Sequence, residues 1–237
     1  MSIRREDLTP ESLARIAAQM REKGMFEPLT QEERERSLRD TLSSVPPEED
    51  VWLFGYGSLV WNPLIRYAEK RVALVRGYHR RYCFWVRLGR GSPDEPGLML
   101  GLDRGGSCKG VAFRIRAAEA ETELRLVWMR EMLSGVYRPR WMTAQTAGGP
   151  IRAVAFVVNR AHRLYCGALP LETAAKHLAR ARGRLGSCRE YLENTVTHLA
   201  ELGVRDRYLT RIHRLVQAIP EPLETGERPR EDGPDPR

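Results

Sequence analysis

The sequence predicts an α+β protein built on a small closed or strongly curved sheet with helices around it. Two observations carry this. Between 51 and 158, short β-type runs of similar spacing alternate with turn signals. Before 51 and after 158, apolar residues instead recur at helical spacing.

Residues 1–50 read as a helical extension and linker. Thr9-Pro10-Glu11 marks a helix start with proline in the first turn, and Leu13, Ile16, Ala17 and Met20 follow on one face. Gly24 is the expected stop. Residues 30–42 form a second, highly charged helix, with Thr30 and Glu33 placed as a capping box. Pro46-Pro47-Glu48-Glu49-Asp50 reads as the linker. No chemical motif lies in this stretch, so packing or partner contact is its expected role.

From 51 to 219 the chain reads as the main domain. Strands are expected at 51–54, 70–76, 80–88, 98–102, 110–115, 139–146 and 151–158. Gly77 separates the second from the third, and residues 89–97 form the longest turn-rich loop. One helix interrupts the strands at 117–134, and Gly135 ends it. Helices follow at 171–181, 188–202 and 205–219, punctuated by Gly183, Gly186 and Gly203. Residues 220–237 are rich in Pro, Gly, Glu and Arg and are expected to be a disordered tail.

Composition narrows the function classes. Of the 237 residues 42% are hydrophobic, yet no apolar run reaches membrane-spanning length. The first residues hold no apolar core of a secretory signal. Cys83, Cys108, Cys166 and Cys188 form no CxxC pair, which argues against a zinc site or a disulfide scaffold and suits a reducing cytoplasm. The histidines at 79, 162, 177, 198 and 213 are dispersed, so no metal site is expected. The formal charge of +8 comes almost wholly from arginine. Those arginines are interspersed with acids and read as a solvated surface, so neither nucleic acid nor membrane is expected as a partner.

The stretch from Val51 to Trp61 is the densest in chemical meaning. An apolar strand runs into Gly55-Tyr56-Gly57-Ser58. Glycine reaches positive φ cheaply and lets a ligand approach the backbone, so this loop presents bare amides to an anion or oxyanion. The alternative is a tight turn between two apolar segments. A dinucleotide fingerprint does not fit, because Val60 stands where the third glycine belongs. Ser58 lacks the second glycine of a nucleophile elbow and is read as a binding residue.

Glu131 is the second informative position. On the 117–134 helix, Ala120, Leu124, Val127 and Trp128 define an apolar face, and Glu131 continues it. Burial there raises a carboxyl pKa and suits general acid–base work. An ion pair with Arg130, Arg138 or Arg140 is the other reading.

Several segments together resemble the ChaC-like γ-glutamylcyclotransferases. They are Phe54-Gly55-Tyr56-Gly57-Ser58-Leu59-Val60-Trp61-Asn62-Pro63, the loop from Arg90 to Gly97, the strand from Cys108 to Ile115, Arg130-Glu131 with Gly135-Val136-Tyr137-Arg138, the stretch from Tyr165 to Glu172, and Tyr191-Leu192. The resemblance spans about 50 to 219 in order. It implies a γ-glutamyl cyclotransferase fold, a small mixed β-barrel with surrounding helices. It implies glutathione as substrate, split to 5-oxoproline and cysteinylglycine without metal, nucleotide or other cofactor. It implies Glu131 as the catalytic residue and Gly55, Tyr56, Gly57, Ser58, Leu59, Val60 and Tyr137 as substrate contacts. Rival expectations are a cyclotransferase for other γ-glutamyl amines or dipeptides, and a non-catalytic binder of the same fold.

Overall fold

A computed structural model describes residues 3–23 and 26–221. Gly24 and most of the expected tail, residues 222–237, lie outside the described residues. Helix α1 (Pro10–Glu22) starts at Thr9, whose hydroxyl accepts the Ser12 amide, and α2 (Gln31–Leu42) starts at the Thr30–Glu33 capping box. Both box bonds form, Glu33 N to Thr30 Oγ1 at 3.1 Å and Thr30 N to Glu33 Oε2 at 2.8 Å. Each bond satisfies an otherwise orphaned amide.

The sheet is a closed five-stranded barrel. Its strands are β1 (Val51–Gly55), β2 (Glu69–Val86), β3 (Gly97–Ile115), β4 (Tyr137–Thr146) and β5 (Gly149–Val158), in the order β1-β3-β2-β4-β5. Neighbours pair antiparallel except β1 with β5, whose parallel pairing closes the ring. Two differences from the sequence reading stand out. The runs at 70–76 and 80–88 are one 18-residue strand, and those at 98–102 and 110–115 are one 19-residue strand. Gly77, at φ +82, does not turn the chain back. It sits at a register shift between Arg76 and Tyr78, where a bulge bends β2 and lets the ladder continue.

Helix α3 (Ala117–Glu131) lies against the barrel after β3. It buries Ala120, Leu124, Val127 and Trp128, and it ends at Glu131, with Gly135 at φ +70 beyond. Helices α4 (Leu171–Arg180), α5 (Cys188–Glu201) and α6 (Arg207–Gln217) cover the other side. The extension shares the barrel's core. Leu38 of α2 packs with Val51, Leu53 and Trp128, and the Trp128 and Trp141 indole N–H groups donate to Ser37 Oγ and Thr41 O. The linker is tied down too, since Asp50 accepts the Ala117 amide at 2.9 Å and pairs with Arg114 at 2.7 Å. Among the described residues, no helix is long and apolar enough to cross a membrane.

Candidate active site

β1 delivers Gly55 from the barrel wall, and the chain then coils into a short 3-10 turn at Ser58–Val60. Neither Gly55 nor Gly57 adopts positive φ, contrary to the reason the sequence offered. Space is what these positions need. A Cβ on Gly57 would lie 2.7 Å from the Tyr191 hydroxyl, and one on Gly55 would lie 3.0 Å from Leu59 Cβ. The turn is also less bare than expected. Val60 N donates to Gly57 O at 2.9 Å, and Trp61 N and Asn62 N donate to Ser58 O at 3.3 and 2.8 Å. Ser58 N donates to the Tyr191 hydroxyl at 3.2 Å. The amides of Gly57 and Leu59 have no protein acceptor among the described residues.

Glu131 is the last residue of α3 and its side chain is 13% exposed. Oε1 is buried and has no hydrogen-bond partner among the described residues. Arg130 Nε forms an ion pair with it at 3.1 Å, the alternative the sequence offered for this residue, but lies out of line for a hydrogen bond. Arg138 and Arg140, the other arginines the sequence offered as partners, are exposed. Burial pushes the Glu131 carboxyl above its ordinary value, and the Arg130 charge offsets part of that rise. The site therefore holds a carboxyl that keeps its proton further up the pH scale than a surface glutamate does.

Three phenols surround this group. Tyr56 donates to Phe156 O and Tyr137 donates to Leu100 O, each at 2.7 Å. Burial, and then the Glu131 charge, hold Tyr56 well above its ordinary range and push Tyr191 up to about 12; burial, then Tyr56 and then Glu131, hold Tyr137 well above its own. All three are neutral donors at physiological pH. A cavity of ≈ 190 Å³ opens beside Tyr137 and Tyr191. Its wall includes Ser58, Glu131 and Tyr137, together with Arg90, Arg130 and Tyr191. Gly55, Tyr56, Gly57, Leu59 and Val60 stand behind that wall, and all but Val60 are buried.

A family model described as ChaC-like protein matches residues 51–219. The chain belongs to the ChaC-like family. A glutathione-specific γ-glutamylcyclotransferase of Escherichia coli is 38% identical over 176 residues, covering 74% of this chain and 76% of that protein. Glutathione-specific γ-glutamylcyclotransferase 1 of mouse is 35% identical over 167 residues, covering 66% and 75%. A crystal structure of a yeast γ-glutamyl cyclotransferase specific to glutathione superposes with a TM-score of 0.65 at 20% identity, over 72% of this chain and 99% of that one. The barrel with its helices is thus the γ-glutamyl cyclotransferase fold.

Within this ChaC-like core, Arg90 and Tyr191 line the cavity although the sequence does not mark them as site residues, and so does Arg130, marked there only as an ion-pair partner for Glu131. Arg90 lies in the loop after β2, 7% exposed, and donates to Ser187 O at 2.8 Å and Glu190 Oε2 at 3.2 Å. Its guanidinium carbon stands 5.4 Å from the Tyr191 ring centroid and 6.0 Å from that of Trp61. Both Arg90 and Tyr191 fall in segments that carry the family resemblance, so a signal existed. What the sequence lacked was the fold that sets α5 against the Ser58 turn. The four cysteines of the ChaC-like core are free thiols. Burial pushes Cys83 up to about 12 and Cys166 and Cys188 up to about 11, and it raises Cys108 as well.

Proposed function

We propose that this protein is a glutathione-specific γ-glutamylcyclotransferase that releases 5-oxoproline and cysteinylglycine. The relatives' activity supports this reading, and one observation carries it at the site. The Glu131 carboxyl is buried, free of hydrogen bonds among the described residues, and on the same cavity wall as Ser58.

The nucleophile is the substrate's own α-amine, so attack on the γ-carbonyl is intramolecular and proximity supplies much of the rate. The protein adds proton transfer and placed charge. Glu131, ionised, takes a proton from the α-ammonium. The amine then closes a five-membered ring onto the γ-carbon, and the carbonyl oxygen gains negative charge. The unfilled amides of Gly57 and Leu59 are the donors left for that task, while the Tyr137 phenol, its proton spent on Leu100 O, offers the substrate an acceptor oxygen. The C–N bond to cysteine breaks as Glu131 returns its proton to the departing amine, and the ring nitrogen sheds its second proton to that amine by way of Glu131, leaving the lactam N–H and a cysteinyl ammonium. Arg90 and Arg130 supply positive charge for the two substrate carboxylates. Tyr191, on the cavity wall, anchors the Ser58 turn by accepting its amide. Gly55, Tyr56, Val60 and the Leu59 side chain act by shaping that turn, one layer back from the substrate. The partner is a small molecule, and the free, scattered thiols suit the cytoplasm.

The test is purified protein with glutathione, followed by chromatography. Cysteinylglycine and 5-oxoproline should appear in equal amounts. Faster turnover of γ-glutamyl amines than of glutathione would instead assign it to the broader cyclotransferases. Binding of glutathione without product would make it a non-catalytic member.

A further inference from the structure

We infer that Ile3–Arg5, a segment ahead of the ChaC-like core, is a built-in wall of the substrate cavity that sets how tightly substrate is gripped. The inference rests on the proposed reading of the site. Ile3 lines the same cavity as Glu131 and Ser58. Its carbonyl accepts the Asn62 side-chain amide at 2.9 Å. The Asn62 carbonyl in turn accepts Arg130 Nη1 at 2.5 Å, and Arg130 Nε stands beside Glu131. A continuous chain of contacts thus runs from Ile3 to the candidate acid–base.

The anchor of this wall is Arg5. Its guanidinium forks onto Glu123, with Nη1 2.5 Å from Oε2 and Nη2 2.8 Å from Oε1, and Nη1 also donates to Leu64 O at 3.2 Å. Glu123 is 3% exposed and also accepts the Arg66 amide at 2.8 Å. It belongs to α3, eight residues before Glu131, about 12 Å along the helix. Burial drives the Glu123 carboxyl up, but the Arg5 fork and the Arg66 amide outweigh it and hold the group below its ordinary value. Arg5 is the one cation in ion-pair contact with Glu123 among the described residues. A buried carboxylate left without a cation is strongly unfavourable. The ChaC-like core therefore carries a socket that the residues ahead of it must fill. Filling it brings Ile3 to the cavity, beyond the 3-10 turn at Arg5–Asp7 and the buried Leu8.

The experiment uses the full chain with Ile3→Ala, Ile3→Trp and Arg5→Met. Loss of an apolar contact with substrate should raise KM about fivefold in Ile3→Ala with kcat within about twofold, because the wall contributes grip and not proton transfer. Ile3→Trp should cut kcat/KM by about tenfold or more by filling the cavity. Arg5→Met should reproduce the KM rise and also speed hydrogen exchange of backbone amides at 58–66, leaving the β4–β5 hairpin unchanged. That exchange readout needs no turnover, so it stands even if glutathione proves not to be the substrate. Unchanged KM in all three variants, or exchange at 58–66 unaffected by Arg5→Met, overturns the inference. Absence of product from the wild-type chain with exchange responding as described overturns only the proposed activity. Equal acceleration of exchange everywhere would mean that Arg5 serves global stability, and this too overturns the inference.

Discussion

Glu131→Gln separates catalysis from stability in one substitution. The side chains have the same shape, so the cavity is preserved while the exchangeable proton is lost. Removing general acid–base transfer should lower kcat by about 10²–10⁴-fold, equivalent to about 3–5 kcal/mol of barrier. Stability should move the other way. The unfolded carboxyl titrates near 4.5, whereas burial raises the folded one. Between those two values the unfolded chain has released the proton and the folded chain still holds it. Wild-type stability therefore falls as pH rises through that window, by at most about 1.4 kcal/mol per pH unit. Above the folded value the loss is complete and the curve is flat. Glutamine has nothing to release, so the variant escapes the decline. The assay is urea unfolding of both proteins at intervals from about pH 5 to about pH 8, alongside product formation from glutathione. The variant's advantage should widen with pH and then level off. A stability gap that does not change with pH would show Glu131 titrating as an ordinary surface acid. Turnover within about tenfold of wild type would remove it from the proton-transfer step.

Tyr191→Phe deletes the acceptor of the Ser58 amide and should destabilise the protein by about 1–3 kcal/mol, with a clear fall in kcat/KM. Unfolding curves and initial rates check this, and an unchanged rate would free the Ser58 turn of any dependence on Tyr191. Arg90→Met removes a charge-assisted contact of about 1.5–3 kcal/mol and should raise KM by about 10–100-fold if Arg90 meets the terminal carboxylate of glutathione. KM for γ-glutamyl methylamide, which lacks that carboxylate, should change far less. Equal shifts for both substrates would assign Arg90 a purely structural part through Ser187 and Glu190.

Local pattern revealed the elements of this fold but not its closure. The β-type runs were visible in alternation and β-branched content. That pairs of them fuse into strands of 18 and 19 residues depends on Gly77 acting as a bulge, and a glycine between two runs signals a turn equally well. The parallel pairing of β1 with β5 joins residues a hundred positions apart, and no local period encodes it. At the site, Glu131 was legible because an acid broke an apolar stripe. The same argument applies to Glu123, three residues after Ala120 and four before Val127, and the sequence reading passed over it. The Ser58 turn was legible as a site, but its amides were counted as free when Val60 donates to Gly57 O and Ser58 donates to the Tyr191 hydroxyl. Arg90 and Tyr191 reach the cavity only through tertiary packing.

The burial of Cys83, Cys108 and Cys188, and the half-burial of Cys166, matter for a protein that works among glutathione and its disulfide. Attack on a disulfide needs a thiolate, and a group titrating near 11 is ionised in only about one molecule in ten thousand at neutral pH. Cys83, held higher still, is rarer yet as an anion. Mixed-disulfide formation is therefore slow at every cysteine, and the enzyme keeps its shape while the redox balance of its own substrate pool swings around it.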